Sequence, residues 1–246
     1  MQLTGNTILI TGGGSGIGAS LAERFANEGN KVIICGRREN ALAEAARRIP
    51  GLVTHAVDLA ERAGREELSR WIREQHPETN VLINNAGVQN WMDISDDDFA
   101  ERADQELAIN VQAPVHLSHL MLKHPALTTI INVSSGLAFV PLVRVPVYCA
   151  TKAFLHSFTL SLRELCRARN VEVIELIPPA LNTDLGGKGL HDFAPAVAGF
   201  IDAVFEQLAQ GKLAATYGFT EAMNNAGQEV FAPIFQRMNH PQDAKR

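Results

Sequence analysis

Thr7-Ile8-Leu9-Ile10-Thr11-Gly12-Gly13-Gly14-Ser15-Gly16-Ile17-Gly18 is the stretch on which the reading of this chain turns. It opens on Thr7-Ile8-Leu9-Ile10, a β-rich apolar run of the kind found in a strand buried on both faces. In the segment that follows, Ile17, Leu21, Ala22 and Phe25 fall on one helical face, and Gly29-Asn30 ends it. Glycines between a buried strand and an amphipathic helix allow a tight turn. They also let backbone N–H groups approach a pyrophosphate with no Cβ in the way. The helix N-terminus adds orphan donors and the positive end of its dipole. This context points to a bound dinucleotide, whereas glycines alone would fit an ordinary loop equally well.

The same alternation continues along the chain. Strands are expected at 31–35, 53–57, 81–83, 130–133 and 171–177, with a weaker one near 213–217. Helical segments lie between them; in one, Leu155, Phe158, Leu162 and Leu165 are expected to share a face. Pro77 closes the third helical segment, and Ser95 is the expected N-cap before Asp96-Asp97-Asp98. Repeated strand and helix predict an α/β fold, a doubly wound Rossmann fold with about seven parallel strands and helices on both faces. No linker or repeat divides residues 1–246, so one domain is expected, with a polar tail that frays after Met238.

Composition narrows the class. The chain has 246 residues, 46% hydrophobic and 20% charged, and a net charge of −5. These values exclude intrinsic disorder and lack the basic excess of a nucleic-acid binder or an anionic-membrane binder. Cys35, Cys149 and Cys166 are too few and too scattered for a disulfide framework or a zinc site. With no secretory leader and no long apolar segment, a cytoplasmic protein is expected.

The spacing Gly12, Gly16, Gly18 is T-G-x-x-x-G-x-G, and here the chain resembles the short-chain dehydrogenase/reductase superfamily in its classical form. That resemblance makes Gly12, Ser15, Gly16, Ile17 and Gly18 the expected phosphate turn. An acid about 20 residues further on ordinarily accepts from the ribose 2′-hydroxyl of NAD. Gly36 stands where that acid is expected, and Arg37 and Arg38 follow it. A guanidinium clamps a 2′-phosphate, so NADP(H) is preferred, NAD(H) is the lesser alternative, and Arg37 is the stronger reader. A single arginine there would also suit a solvated helix start, the lesser reading. The resemblance places Asp58 and Leu59 against adenine, although Asp58 also suits a helix N-cap. It reads Asn84-Asn85-Ala86-Gly87 as the family's N-N-A-G segment, with Asn84 tying strand ends and Ala86 and Gly87 letting the ribose lie close.

Tyr148-Cys149-Ala150-Thr151-Lys152 puts a phenol and an ammonium on one helix face. Tyrosine titrates near 10, and a neighbouring ammonium is expected to lower that value toward neutrality. Alone, this spacing fits a surface pair. The resemblance assigns Tyr148 as acid/base and Lys152 as its partner and ribose ligand. Ser135, thirteen before Tyr148, becomes the hydroxyl that steadies the substrate oxygen. Asn110 becomes the helix-interrupting residue of a proton relay. No metal is implied.

At the substrate end, Ile177-Pro178-Pro179-Ala180-Leu181-Asn182-Thr183 departs from the family's P-G-x-x-x-T by Pro179 for glycine. Pro178 and Thr183 still match. The double proline followed by N-T-D-L-G-G is similar to the subgroup of the reductase encoded with lipoteichoic-acid D-alanylation genes. The stretch 184–195 reads as a substrate lid. Gln89, Trp91, Leu137, Phe139, Leu142 and Arg144 are expected near a mostly apolar pocket, with Arg144 more suited to the surface. The resemblance implies reduction of a small or medium carbonyl compound, or oxidation of its alcohol, by a homodimer or homotetramer. A non-catalytic NADP(H)-responsive regulator or an interaction protein on the same fold is the alternative.

Overall fold

The computed structural model describes residues 1–224, 233–234 and 237–239. Most of the tail expected to fray, residues 240–246, lies outside them. Seven strands form one parallel sheet: β1 Thr7–Thr11, β2 Lys31–Gly36, β3 Val53–Ala56, β4 Val81–Asn84, β5 Thr129–Val133, β6 Glu172–Ile177 and β7 Ala214–Thr216. The helices are α1 Gly16–Asn27, α2 Glu39–Arg48, α3 Arg62–Gln75, α4 Phe99–Leu107, α5 Ala113–Met121, α6 Pro146–Arg167, α7 Val197–Ala209 and α8 Phe219–Asn224. The strand order is β3-β2-β1-β4-β5-β6-β7. The order reverses between β1 and β4, with Ile8 beside Val81 and Ile10 beside Ile83. Such a switch point leaves a crevice beyond the carboxyl ends of the strands, where ligands bind open α/β sheets.

Alternation along each strand builds two cores. Ile8, Ile10 and Ile34 pack against Leu21 and Phe25 of α1, Leu42 of α2 and Phe200 of α7. Leu9, Ile33 and Leu82 face the other way, toward Leu68 of α3, Leu117 of α5 and Leu162 of α6. Burial on both faces explains why β1, β4 and β5 read as unbroken apolar runs. The expected class, a doubly wound Rossmann fold, is the observed one.

Three local expectations are corrected. Leu165 of α6 is 72% exposed; Thr159 and Cys166 take the inner face with Leu155 and Leu162. A repeat of 3.6 residues drifts over three turns, and the chosen face drifted with it. Ser95 caps nothing: its hydroxyl donates to Asp93, and α4 begins only after Asp98. Asp58 is no N-cap either. Its Oδ1 accepts from the Ala60 N–H at 2.9 Å, closing a turn ahead of α3.

Candidate active site

The crevice is a cleft of about 750 Å³ lined from the end of β3 to the end of β6. Five strand spacings separate those edges, or about 24 Å. Asp58, Leu59, Arg37 and Arg38 line it beyond β3 and β2. Gly12, Ser15, Gly16 and Ile17 line it beyond β1, Ala86 and Gly87 beyond β4, and Tyr148, Lys152, Pro178 and Thr183 toward β6. Gly18 and Asn84 do not line it. Their jobs are structural: a Cβ on Gly18 would stand 2.4 Å from Asn85 Nδ2, and Asn84 Nδ2 donates to Ser118 and Asn132.

The glycine turn has the shape its sequence requires. Gly12 has φ +65°, and a Cβ there would stand 2.8 Å from Ala86 Cα. Only glycine permits that backbone and that approach. Asn85 Nδ2 donates to the carbonyls of Thr11 and Gly12, and Thr11 Oγ1 accepts from the N–H of Asn85 and of Ala86, so β1 and β4 end as one unit. A Cβ on Gly16 would meet Thr183 Cγ2 at 3.4 Å, so the segment after β6 lies over the start of α1. Backbone donors at a helix start, glycines without Cβ and flanking arginines make a donor set that fits a dinucleotide phosphate. Arg38 Nη2 donates to Ser15 Oγ at 2.8 Å, while Arg37 Nη1 stands 3.8 Å from Asp58 Oδ2. Both arginines therefore sit on cleft residues, and neither is an isolated surface charge.

Tyr148, Ser135, Lys152 and Asn110 come from three different segments. Pro146 at the first turn starts α6 where its missing N–H costs nothing, and four residues separate Tyr148 from Lys152 on the inner face. Ser135 lies just past β5, near enough to the Tyr148 phenol to hold it down in part, and its Oγ accepts from the Leu137 N–H at 3.1 Å; neither Ser135 nor Asn110 is among the residues that line the cleft. Lys152 is 4% exposed and its Nζ donates to the Val133 carbonyl at 2.8 Å. Asn110 sits in a π-helical turn, Ala108–Gln112, between α4 and α5. Single π turns of this kind occur at functional sites. Its Nδ2 donates to Val88 O and Thr151 Oγ1, and its Oδ1 accepts from the Val88 N–H. A Cβ on Gly87 would lie 3.4 Å from Asn110 Oδ1 and 3.7 Å from Lys152 Nζ, so both groups flank the same small residue.

The electrostatics correct one expectation. Burial pushes the Tyr148 phenol above its ordinary value, and the neighbouring Ser135 hydroxyl opposes it only in part. Lys152 Nζ is 5.5 Å from the ring centre and is committed to Val133, so it does not reverse the shift. Burial pulls Lys152 itself down to about 8, against the pull of Glu175. Glu175 on β6 is buried, and both its oxygens lie 3.0 Å from His156 Nδ1, one helical turn beyond Lys152.

The substrate end is less apolar than expected. Leu137, Leu142 and Leu185 pack on Val145, Tyr148 and Cys149, but of these only Leu185 and Tyr148 line the cleft, and of the six residues expected near the pocket only Gln89 does. Phe139 turns onto His156 at 4.7 Å between ring centres, and the Arg144 guanidinium lies 5.5 Å over Trp91. Gln89, Asn90 and Gln105 add polar groups to the lining. Asp184, Leu185, Gly186 and Gly187 line the cleft from the loop read as a lid. Asn90, Gln105, Asn182, Glu106 and Glu175 were not singled out in the sequence. For Glu106 a signal existed, its place one turn before Asn110.

Residues 6–192 match the short chain dehydrogenase family, and the chain belongs to it. It is an oxidoreductase of that family, whose fold binds NAD(P) and whose chemistry joins CH–OH to C=O. It is 43% identical over 251 residues to the uncharacterized oxidoreductase DltE of Bacillus subtilis (strain 168), covering 97% of this chain and 98% of that one. It is 30% identical over 184 residues to the serine 3-dehydrogenase of Agrobacterium fabrum, covering 72% and 73%. A solved alcohol dehydrogenase from Comamonas testosteroni, described as bulky-bulky ketone specific, superposes with a TM-score of 0.79 at 25% identity over 93% of both chains. No helix among the described residues is long and apolar enough to cross a membrane.

Proposed function

We propose that the protein is an NADP(H)-dependent reductase of a small or medium carbonyl compound, working also in the alcohol-oxidising direction, with Tyr148 as acid/base. The observation that carries this is that Tyr148 and Lys152 line the cleft that the glycine turn opens, with the Lys152 ammonium 5.5 Å from the ring centre and Ser135 acting on the phenol from the end of β5. The turn residues Gly12, Ser15, Gly16 and Ile17 would hold the pyrophosphate, Arg37 and Arg38 the 2′-phosphate, Asp58 and Leu59 the adenine, and Ala86, Gly87, Pro178 and Thr183 the nicotinamide side. When bound, the cofactor supplies a hydride for the carbonyl carbon and, once oxidised, a positive charge beside the phenol.

The side chains do the rest. Ser135 donates to the carbonyl oxygen and steadies the charge that develops there. Tyr148 gives its proton to that oxygen. Lys152 stabilises the resulting phenolate and reprotonates it, drawing on the Asn110 side of the site. Alcohol oxidation runs the same transfers backwards. The loop 184–195 covers the substrate, and the single domain works in the cytoplasm as a homodimer or homotetramer through the outer face of α6, where Phe154, Leu160 and Leu165 are exposed. A non-catalytic regulator would need neither Ser135 nor Lys152 beside Tyr148.

The test is NADPH oxidation with purified protein and a panel of ketones, aldehydes, diketones and quinones, with NADH in parallel. Turnover that favours NADPH and is lost in Tyr148→Phe supports the proposal. Turnover that survives in Tyr148→Phe removes the proton donor.

A further inference from the structure

Glu106 is a fully buried acid in the last turn of α4. Its Oε1 accepts from the Asn90 N–H at 2.5 Å, and the Asn90 side chain acts on the same carboxyl. On its other side lies the helix that carries Tyr148, since α4 packs against α6. One turn beyond Glu106, Asn110 Nδ2 donates to Thr151 Oγ1 at 3.1 Å, and Thr151 Oγ1 donates to the Tyr148 carbonyl at 2.7 Å. These two bonds fix the register between the helical segment that begins with Glu106 and the turn that begins with Tyr148. From there the Glu106 carboxylate raises the Tyr148 phenol, after burial and the Cys149 thiol, and acts in the same sense on Cys149.

We propose that Glu106 is a positioning residue whose charge sets the proton affinity of Tyr148, holding the phenol protonated above neutrality and slowing alcohol oxidation there. This deepens the reductase reading and rests on it. In the oxidising direction Tyr148 enters as phenolate and takes the hydroxyl proton while the hydride passes to NADP+. In the reducing direction it enters as phenol, the form that a negative neighbour favours. Burial raises Glu106 itself to about 7, against the Asn90 hydrogen bonds, so its charge appears within the working range. Below that value the carboxyl is neutral and leaves the phenol alone. The other charged and titratable groups around the pair have separate parts. On α4, Arg102 is committed to Asp96, Asp98 and the Trp91 carbonyl. On α6, burial holds the Cys149 thiol up at about 11, and Lys152, drawn down by burial to about 8, loses its charge later than Glu106 gains one. Glu106 touches no substrate in this arrangement and acts through Tyr148.

The test follows kcat/KM for cyclohexanol oxidation at saturating NADP+ across pH in full-length wild type, Glu106→Gln and Tyr148→Phe. If another alcohol, the product of a ketone in the panel, is oxidised faster, it takes the place of cyclohexanol. Glutamine keeps the acceptor for Asn90 and removes the ionisation, so the variant copies the low-pH form of the wild type. At about pH 5.5 the two are expected to agree within about twofold. The ascending limb of Glu106→Gln is expected to lie roughly 0.5–1 pH unit lower, which makes it about 3–10-fold faster than wild type at about pH 7.5. Coincident limbs in the folded variant overturn this inference alone, provided that the limb is lost in Tyr148→Phe. A ratio that is the same at every pH also overturns it, because a steric change would act that way. Infrared spectra supply a readout apart from activity and require no variant to fold. At about pH 6 ordinary carboxyls are ionised, so the protonated-carboxyl band of wild type is expected to persist there, and its absence overturns the inference. A limb that survives in Tyr148→Phe, or no oxidation of any alcohol by a protein that binds NADP+, overturns the reductase reading and this one together.

Discussion

Lys152 Nζ is fixed by the Val133 carbonyl at 2.8 Å, whereas the centre of the Tyr148 ring is 5.5 Å away. The end of β5 therefore sets where the ammonium stands, and the same strand end leads directly to Ser135. The geometry proposed for catalysis thus rests on the rigid sheet and not on a surface pair along α6.

Glu175 should control the charge on that ammonium. Burial draws Lys152 down to about 8, and the buried Glu175 carboxylate raises it. Replacing Glu175 with Gln removes the raising influence, so the limb of the kcat/KM profile that reports Lys152 moves to lower pH. Near pH 8 the variant should be roughly 3–10-fold slower, a factor of ten corresponding to one pH unit of displacement. Wild-type and variant pH–rate profiles measured side by side check this.

Arg37→Ala should discriminate between cofactors. A charge-assisted contact to a 2′-phosphate is worth a factor of roughly 10–100 in binding. The KM for NADPH should rise by about that factor, while the KM for NADH, which lacks the phosphate, stays within about twofold. Arg38→Ala should act in the same direction and also release Ser15, to which Arg38 is bonded. Steady-state kinetics with both cofactors reads the effect.

Glu106 links stability to pH. Burial raises its carboxyl from 4.5 to about 7, with the Asn90 hydrogen bonds opposing. Between those values the folded chain keeps a proton that the unfolded chain releases. The contribution is therefore complete below the unfolded value and is lost as pH rises through about 7. Glu106→Gln keeps the shape without the ionisation. The Tm of wild type relative to the variant should drop between about pH 5 and about pH 8, by roughly 2–4 °C per kcal/mol for a chain of this size. Thermal unfolding at the two pH values measures it.

Much of this was legible in the residues, for reasons that differ by element. β1, β4 and β5 read correctly because strands buried on both faces leave unbroken apolar runs. Gly12 was legible because an obligatory positive φ and a close approach leave no other residue. Tyr148, Lys152, Ser135 and Asn110 were singled out through the spacing of motifs; Tyr148 and Lys152 line the cleft, whereas Ser135 and Asn110 stand behind its lining. What depends on tertiary register was not legible. Glu175 and His156 are nineteen residues apart and meet only because α6 crosses the face of β6 on which Glu175 projects. Gln89 was foreseen near the pocket, but its unpartnered amide was not, since satisfaction of a polar group is a property of its surroundings. Arg65 makes the same point. A fully buried arginine looks like a surface residue in sequence, yet its Nη1 donates to the carbonyls of Leu59 and Ala60 and fixes the turn beside the expected adenine site.

The central claim is hydride transfer to a carbonyl carbon with Tyr148 as the proton donor. NADPH carrying deuterium at the transferred position of nicotinamide C4, followed by mass spectrometry of the alcohol formed, tests it most directly. The account predicts deuterium on the carbinol carbon, and a rate lower by about 10²–10⁴ in Tyr148→Phe. Alcohol without label, or full-rate label transfer by Tyr148→Phe, would contradict it.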